Sequence, residues 1–397
     1  MTPRSPLNDA VLVIDKPLYK TSFDVVAQVR RLTGQRRIGH AGTLDPLATG
    51  VLVLCLGEAT KLVPYLMDAD KEYRATARLG IVTDTDDADP QACVLAAADV
   101  GRLAAIDEMQ VRQVLAGMVG WVPQRPPRFS ALKIDGQRLY DKARKARSKP
   151  TEPAPTESAP TDQTPPTDSI DQATAAKVRP VRIDEIVVEE FRPAALPSDR
   201  SGPVTPADAL PEVVFRVRCG KGTYIRSLAR DLGEALGVGA HLSSLRRLRV
   251  GAFDLQGAVA PDDVRLAVPH GLLSAVGHLP RLALDDDQAR RLGWGKPAVL
   301  RELQPALLRC LEPLLARGGE ASSLAVAALD PQGQLLALLT PILPPGSPDG
   351  QGPRSSAQLT GLAWQIARGF VQKTAVAAGA APAPTDAEGE PCITGCA

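Results

Sequence analysis

The sequence predicts an α+β protein of two domains, on three observations. Its 397 residues exceed what one hydrophobic core usually organises. β-branched apolar runs are interspersed with helical segments, one with Val25, Val29 and Leu32 at i, i+4 and i+7 and another with Ile225, Leu228, Leu232 and Leu236 on one face. Beyond about residue 262 the character shifts to a Leu-rich helical stretch (299–316) between strand-like segments such as SLAVAALD and QLLALLTPIL.

The elements follow in order. VLVIDKP (11–17) is an apolar run stopped by a proline and reads as a strand. In TSFDVVAQVRRLTG (21–34), Thr21 and Ser22 offer N-caps, Val25, Val29 and Leu32 share one helical face, and Gly34 suits the position just past the last turn. VLVLCLG (51–57) has no polar face and predicts a buried strand, whereas EYRATARLG (72–80) alternates as a half-exposed strand does. TDTDDADP (83–90) breaks that pattern. Strands and helices return over 107–147, including the turn-rich PPRFSALKIDG and a helical LYDKARKAR. VRPVRIDEIVVEEF (178–191) and EVVFRVRC (212–219) are strands, and a glycine-bearing turn then opens a helix with Ile225, Leu228, Leu232 and Leu236 on one face.

Other segments lack the apolar content of a core. Residues 148–176 are almost wholly Pro, Thr, Ser, Ala and acids, with one Ile and no aromatic, so they predict a disordered insertion. A second Pro-rich loop covers 193–211, residues 1–10 are an N-terminal extension, and 372–397 read as a frayed tail. The expected organisation is a first domain over 11–262 and a smaller β-rich one over 263–371.

Charge is nearly balanced, with Lys+Arg 46 against Asp+Glu 45. The stretch 151–172 holds five acidic residues and no Lys or Arg, so the remainder is mildly basic. Six cysteines include no CxxC pair, and Cys55 and Cys219 sit in apolar runs, which suits reduced thiols and a cytoplasmic location. No segment approaches the roughly 20 apolar residues of a membrane span, and no export signal opens the chain.

Several chemistries are screened out. CGKGTYIRS superficially suggests a phosphate loop, but Phe215 stands five residues before Gly220 and Gly222 follows Lys221, where a Walker A loop needs a glycine and a hydroxyl residue. Asp84, Asp86, Asp87 and Asp89 put an aspartate where an EF-hand needs glycine, so an Asx-turn loop is expected instead. His241, His270 and His278 lack a second His or Cys at ligand spacing, and no GxSxG elbow occurs. What remains is RIGHAGTLDPLATGVLVLCLG (37–57). Pro46 biases Asp45 away from the helical basin, Gly39, Gly42 and Gly50 permit tight turns and close ligand approach, and a strand anchors the loop. Such a loop serves either as a simple turn or as the seat of a functional carboxylate.

GHAGTLDPLATGVL, KEYRATARLG, PPRFSALK and GTYIRSLARDLG, in that order, resemble the TruB family of bacterial tRNA pseudouridine-55 synthases. The resemblance runs from VLVIDKP to RRLRVGAF, interrupted by the two Pro-rich stretches. It implies a pseudouridine-synthase fold, a mixed and mainly antiparallel sheet with flanking helices and a central RNA-binding cleft, plus a small PUA-like C-terminal domain. It also implies an isomerase that flips a uridine out of a tRNA T-loop, cleaves its N1 glycosidic bond and reattaches the base through C5. No metal, cofactor or obligatory protein partner is expected, and a monomer is.

Residue by residue, the resemblance makes Asp45 the catalytic aspartate. Tyr73 would stack on the target uracil, and Tyr224 would pack beneath ribose and base. Arg226 would pair with the catalytic carboxylate, His40 would fill the space left by the flipped nucleotide, and Leu248 would make an apolar pocket contact. Arg246, Arg247 and Arg249 then read either as phosphate contacts or as a solvated basic strand.

Overall fold

The computed structural model describes residues 7, 9–130, 133–134, 137–138, 174–175, 177–195, 202–205, 209–316, 324–342 and 363–370. The insertion expected over 148–176 lies outside these except for 174–175, as do the helix expected at 139–147 and the tail from 372.

Strand β1 (Val11–Lys16) ends at Pro17 and leads into α1 (Ser22–Thr33). Thr21 caps that helix through a capping box with Asp24, and Gly34 ends it at φ 70°, a left-handed conformation that glycine adopts without steric cost. Next come β2 (Ile38–His40), β3 (Ala48–Leu56), the short α2 (Val63–Asp68) and β4 (Lys71–Leu79). β5 (Ile81–Thr83) and β6 (Val94–Ala97) flank the acidic loop. They are followed by α3 (Val100–Ala104), α4 (Glu108–Ala116) and β7 (Gly120–Gln124). The turn-rich segment forms a two-residue ladder, β8 (Lys133–Ile134) with β9 (Gln137–Arg138). β10 (Arg179–Arg192), β11 (Glu212–Cys219), α5 (Ile225–Ala235), β12 (Ala240–Val250) and β13 (Phe253–Asp254) complete the large sheet and its covering helices.

The strand order is β1-β3-β12-β4-β11-β10-β7, with β2 added to β3 and β13 to β12. Every neighbouring pair is antiparallel except β3 with β12. At that parallel seam Gly50 has φ 99°, and a Cβ there would sit 2.2 Å from the Arg247 carbonyl oxygen. Only glycine lets the two strands close at this point.

The two halves of the sheet are covered differently, which accounts for their different sequences. In β3, Leu52, Leu54 and Leu56 enter one core with α1 and α5, while Val51, Val53 and Cys55 enter a second core on the opposite face. A strand buried on both faces needs no polar positions, hence the solid apolar run. In β4, Ala75, Ala77 and Leu79 enter the first core. The opposite face carries Glu72, Arg74 and Arg78, paired with Arg249, Glu189 and Glu212 of neighbouring strands.

The second core is closed by a four-stranded sheet in the order β14-β15-β16-β17, formed by Arg281–Ala283, Val326–Leu329, Leu335–Pro341 and Trp364–Gly369. Helices Asp286–Gly293 and Pro297–Ala316 pack on its other side through Leu292, Val299, Leu303 and Leu307. Residues 261–270 pack with the large sheet, because Val264 lies in the first core and His270 exchanges backbone hydrogen bonds with Val11. Among the described residues no helix is long and apolar enough to cross a membrane.

Candidate active site

Asp45 opens a tight turn. Its carbonyl accepts the Ala48 N–H at 3.0 Å, with Pro46 at the second turn position, where its fixed φ is favoured. Three contacts clamp this turn to the segment after β1. Ser22 accepts the Leu44 N–H through its hydroxyl at 2.8 Å, the Tyr19 N–H donates to the Pro46 carbonyl at 2.8 Å, and Lys16 Nζ donates to the same carbonyl at 3.3 Å. Lys16 is fully buried and also donates to the Lys20 carbonyl at 2.6 Å. Burial lowers its pKa to about 8, against the pull of Asp45 in the opposite direction.

The partner of Asp45 comes from α5, whose N-cap residue, Tyr224, is oriented by two hydrogen bonds between its backbone and the Gln124 side chain. Ile225, Leu228 and Leu232 bury one face of α5 in the core. This rotation leaves Arg226 and Arg230, one turn apart, facing the loops. Arg226 Nε lies 3.0 Å from Asp45 Oδ2, while its Nη1 and Nη2 donate to the carbonyls of Thr85 and Phe129 at 2.9 and 2.8 Å. The Arg226 side chain is 7% exposed and that of Asp45 40%. Burial opposes the charge on Arg226, but Asp45, Asp87 and Asp86 outweigh it and raise the pKa further. The result is a rigid, fully spent guanidinium beneath a carboxylate open to solvent.

Tyr73 lies opposite Arg247 in the register of β4 and β12. Burial pushes its phenol up, with the nearby Arg247 pulling against that shift and Asp45 near enough to add to it. Tyr73 is therefore a neutral phenol at ordinary pH. Tyr224 carries the Arg179 guanidinium over its ring, 5.7 Å from the centroid, and Arg179 also donates to the Gly222 carbonyl at 3.0 Å. His40 ends β2 opposite Leu54. Its Nδ1 is buried with no hydrogen-bond partner among the described residues, and burial, then Arg247, lowers its pKa. Leu248 is half-buried at a β-bulge, where Arg247 pairs with Tyr73 but Arg249 already pairs with Glu72. Asp45 and Arg226 are in direct contact, Tyr224 caps the helix that carries Arg226, Tyr73 lies opposite Arg247 across the sheet, and Leu248 follows Arg247 in sequence.

One expectation needs correction. Arg247 is neither a phosphate contact nor part of a solvated strand. It is 1% exposed and donates to the carbonyls of Val51 and Gly42 at 2.7 and 3.0 Å, pinning the glycine turn before Asp45. Arg246 and Arg249 are committed to Asp15 and Glu72, each at 2.7 Å. The acidic loop does contain Asx contacts, Asp87 Oδ1 with the Asp89 N–H and Asp89 Oδ1 with the Gln91 N–H. It is nevertheless folded inward, so that Asp87 lies 3.8 Å from Arg226 and Asp86 lies 2.9 Å from Arg230. The signal was present as two arginines at i and i+4 on a helix with an apolar face, together with an unexplained run of aspartates.

Comparison with known proteins matches the chain to pseudouridylate synthases. Residues 30–159 match the family model described as TruB family pseudouridylate synthase (N terminal domain), and residues 226–270 match that of the tRNA pseudouridylate synthase B C-terminal domain. A tRNA pseudouridine synthase B from Thermobifida fusca (strain YX) is 42% identical over 319 residues, covering 80% of this chain and 94% of that protein. One from Burkholderia mallei (strain NCTC 10247) is 41% identical over 305 residues, covering 74% and 84%. Among solved structures, a chain of a Cbf5-Nop10-Gar1 complex superposes with a TM-score of 0.55 at 23% identity, covering 92% of this chain and 86% of that one. At that identity the likeness is one of fold.

Proposed function

Because the chain belongs to the TruB family of pseudouridylate synthases, we propose that it isomerises the T-loop uridine at position 55 of tRNA to pseudouridine. The bond from ribose C1′ to N1 breaks and one from C1′ to C5 forms. C5 loses a proton and N1 gains one, so no oxidant or reductant is consumed.

The observation that carries this reading is the solvent-open Asp45 carboxylate held 3.0 Å from a buried arginine. Asp86 and Asp87 face the same helix with side chains only 10% and 9% exposed. Asp45 is the carboxylate an extruded nucleotide can reach, and it is the catalytic residue. Arg226 positions it. A uridine must leave its stack first, at a cost of a few kcal/mol, and each aromatic stacking contact returns about 1–3 kcal/mol. Tyr73 supplies that surface to the uracil and Tyr224 to the ribose and base. His40 fills the gap the nucleotide leaves, and Leu248 adds an apolar wall. The protein acts alone, as a monomer, on the T-stem-loop.

Incubation of the wild-type chain with an unmodified tRNA transcript, followed by carbodiimide-stop mapping, tests this. The expected result is one new stop at position 55, reproduced on a bare T-loop hairpin without guide RNA. Modification at other positions only, or a requirement for a guide, overturns the assignment.

A further inference from the structure

Tyr19 has φ 60°, and the only other non-glycine residue with positive φ among those described is Asp86. Aspartate tolerates that region, but for a bulky ring-bearing side chain it is costly and glycine would fill it at less expense. The conformation is imposed by the clamp on the catalytic loop, the Tyr19 N–H to Pro46 carbonyl bond of 2.8 Å. The ring itself is 63% exposed, and no hydrogen bond or ring contact of its side chain occurs among the described residues. In the first turn of α1, Phe23 is 69% exposed and likewise without ring contacts among the described residues. The chain has only five tyrosines and six phenylalanines. Two of them stand open to solvent on the segment fastened to Asp45, one at the cost of backbone strain. Tyr19 holds a costly backbone conformation while its ring stays open to solvent beside an equally open Phe23, which points to a return outside the folded chain.

We propose that Tyr19 and Phe23 form a stacking platform for an unpaired base of the RNA beside the target uridine. This rests on the proposed function. A base next to an extruded nucleotide loses one stacking neighbour, and an aromatic ring replaces it whatever the base, because every base has a π-face. The clamp fixes the platform relative to Asp45, so the flanking base and the target are held in one register.

The test uses a T-loop hairpin carrying 2-aminopurine on either side of the target uridine, titrated with wild-type protein and with the Tyr19→Gly/Phe23→Ala double variant. Wild-type protein quenches the fluorescence at one of the two positions. The double variant loses that quench and binds about tenfold or more weakly, while Tyr19→Gly alone does not lower the thermal midpoint, since glycine accepts positive φ. Met109→Ala, which removes a side chain 73% exposed on α4, serves as the remote control. If the wild type forms pseudouridine but the double variant binds and quenches as it does, the platform is rejected and the patch turns toward a protein partner. If the wild type neither binds the hairpin nor modifies it, the function is rejected and the platform with it.

Discussion

Two loops meet α5 with the same chemistry and opposite exposure. The loop at 41–47 offers Asp45 to Arg226, and the loop at 84–89 offers Asp86 to Arg230, one helical turn further on. Both arginine side chains are 7% exposed, yet the Asp45 side chain is 40% exposed and that of Asp86 10%. The aspartate's own access to solvent therefore separates the two, one carboxylate open to solvent and the other sealed. In the sealed pair, burial raises the pKa of Asp86 while Arg230 pulls it down. Such a pair fixes geometry more reliably than it adds stability. Here it fixes the loop whose Thr85 carbonyl holds Arg226.

The contrast breaks most sharply at Asp45. Asp45→Asn is expected to lower the rate of pseudouridine formation by about 10⁴-fold or more while lowering the thermal midpoint less than Asp86→Asn does, because the carboxamide stays hydrated and the buried Arg226 keeps Asp87 and the Thr85 and Phe129 carbonyls. A parallel fall in both quantities would place Asp45 with Asp86 as a structural residue.

Arg226→Lys comes next. An ammonium cannot reproduce the planar fork shared among Asp45, Thr85 and Phe129, so single-turnover rates should fall by about 10²-fold. Full activity in this variant would mean that only the charge matters.

On the sealed side the effect moves from rate to stability. Asp86→Asn keeps a residue that tolerates φ 58° and removes the charge facing Arg230. Urea unfolding should show a loss of about 2 kcal/mol, with activity at 25 °C reduced by less than about tenfold, the buried Arg230 retaining Asp231 at 2.8 Å. A collapse of activity with intact stability would make this loop catalytic too.

The smallest effect concerns the lysine under the Asp45 loop. Lys16 loses its proton at about 8 in the folded chain, against 10.5 when free. Between those values the unfolded chain binds more protons, so this residue makes stability rise with pH across that window. Below it both states are protonated and the full cost of burying the ammonium remains. Urea midpoints of the wild type and Lys16→Met, compared at about pH 8 and about pH 10, should differ in slope, with the wild type the steeper.

Local patterns made much of this fold readable. The capped helix Ser22–Thr33, the solid apolar strand through Val51–Leu56 and the alternating strand through Tyr73–Leu79 each depend on neighbours within a few residues or on how many faces are covered. The Asp45–Pro46 turn was legible for the same reason. The buried cations were not. Arg247 finds its acceptors at Val51 and Gly42, and Arg226 finds Thr85 and Phe129, all separated from it by roughly a hundred residues or more. A charged residue reads as surface until the distant carbonyls that satisfy it are known. Tyr73, Tyr224 and His40 were identified through resemblance, since no local rule distinguishes a pocket tyrosine from a core one.

The small C-terminal sheet shares a hydrophobic cluster with β1 and β3, to which Ala325, Ala327, Leu335 and Leu338 belong together with Val11, Val13, Val51 and Val53. The strand that leaves the Asp45 turn thus shares its core with residues nearly three hundred positions downstream. A buried cluster common to both lobes predicts that calorimetry of the intact chain records one cooperative peak rather than two.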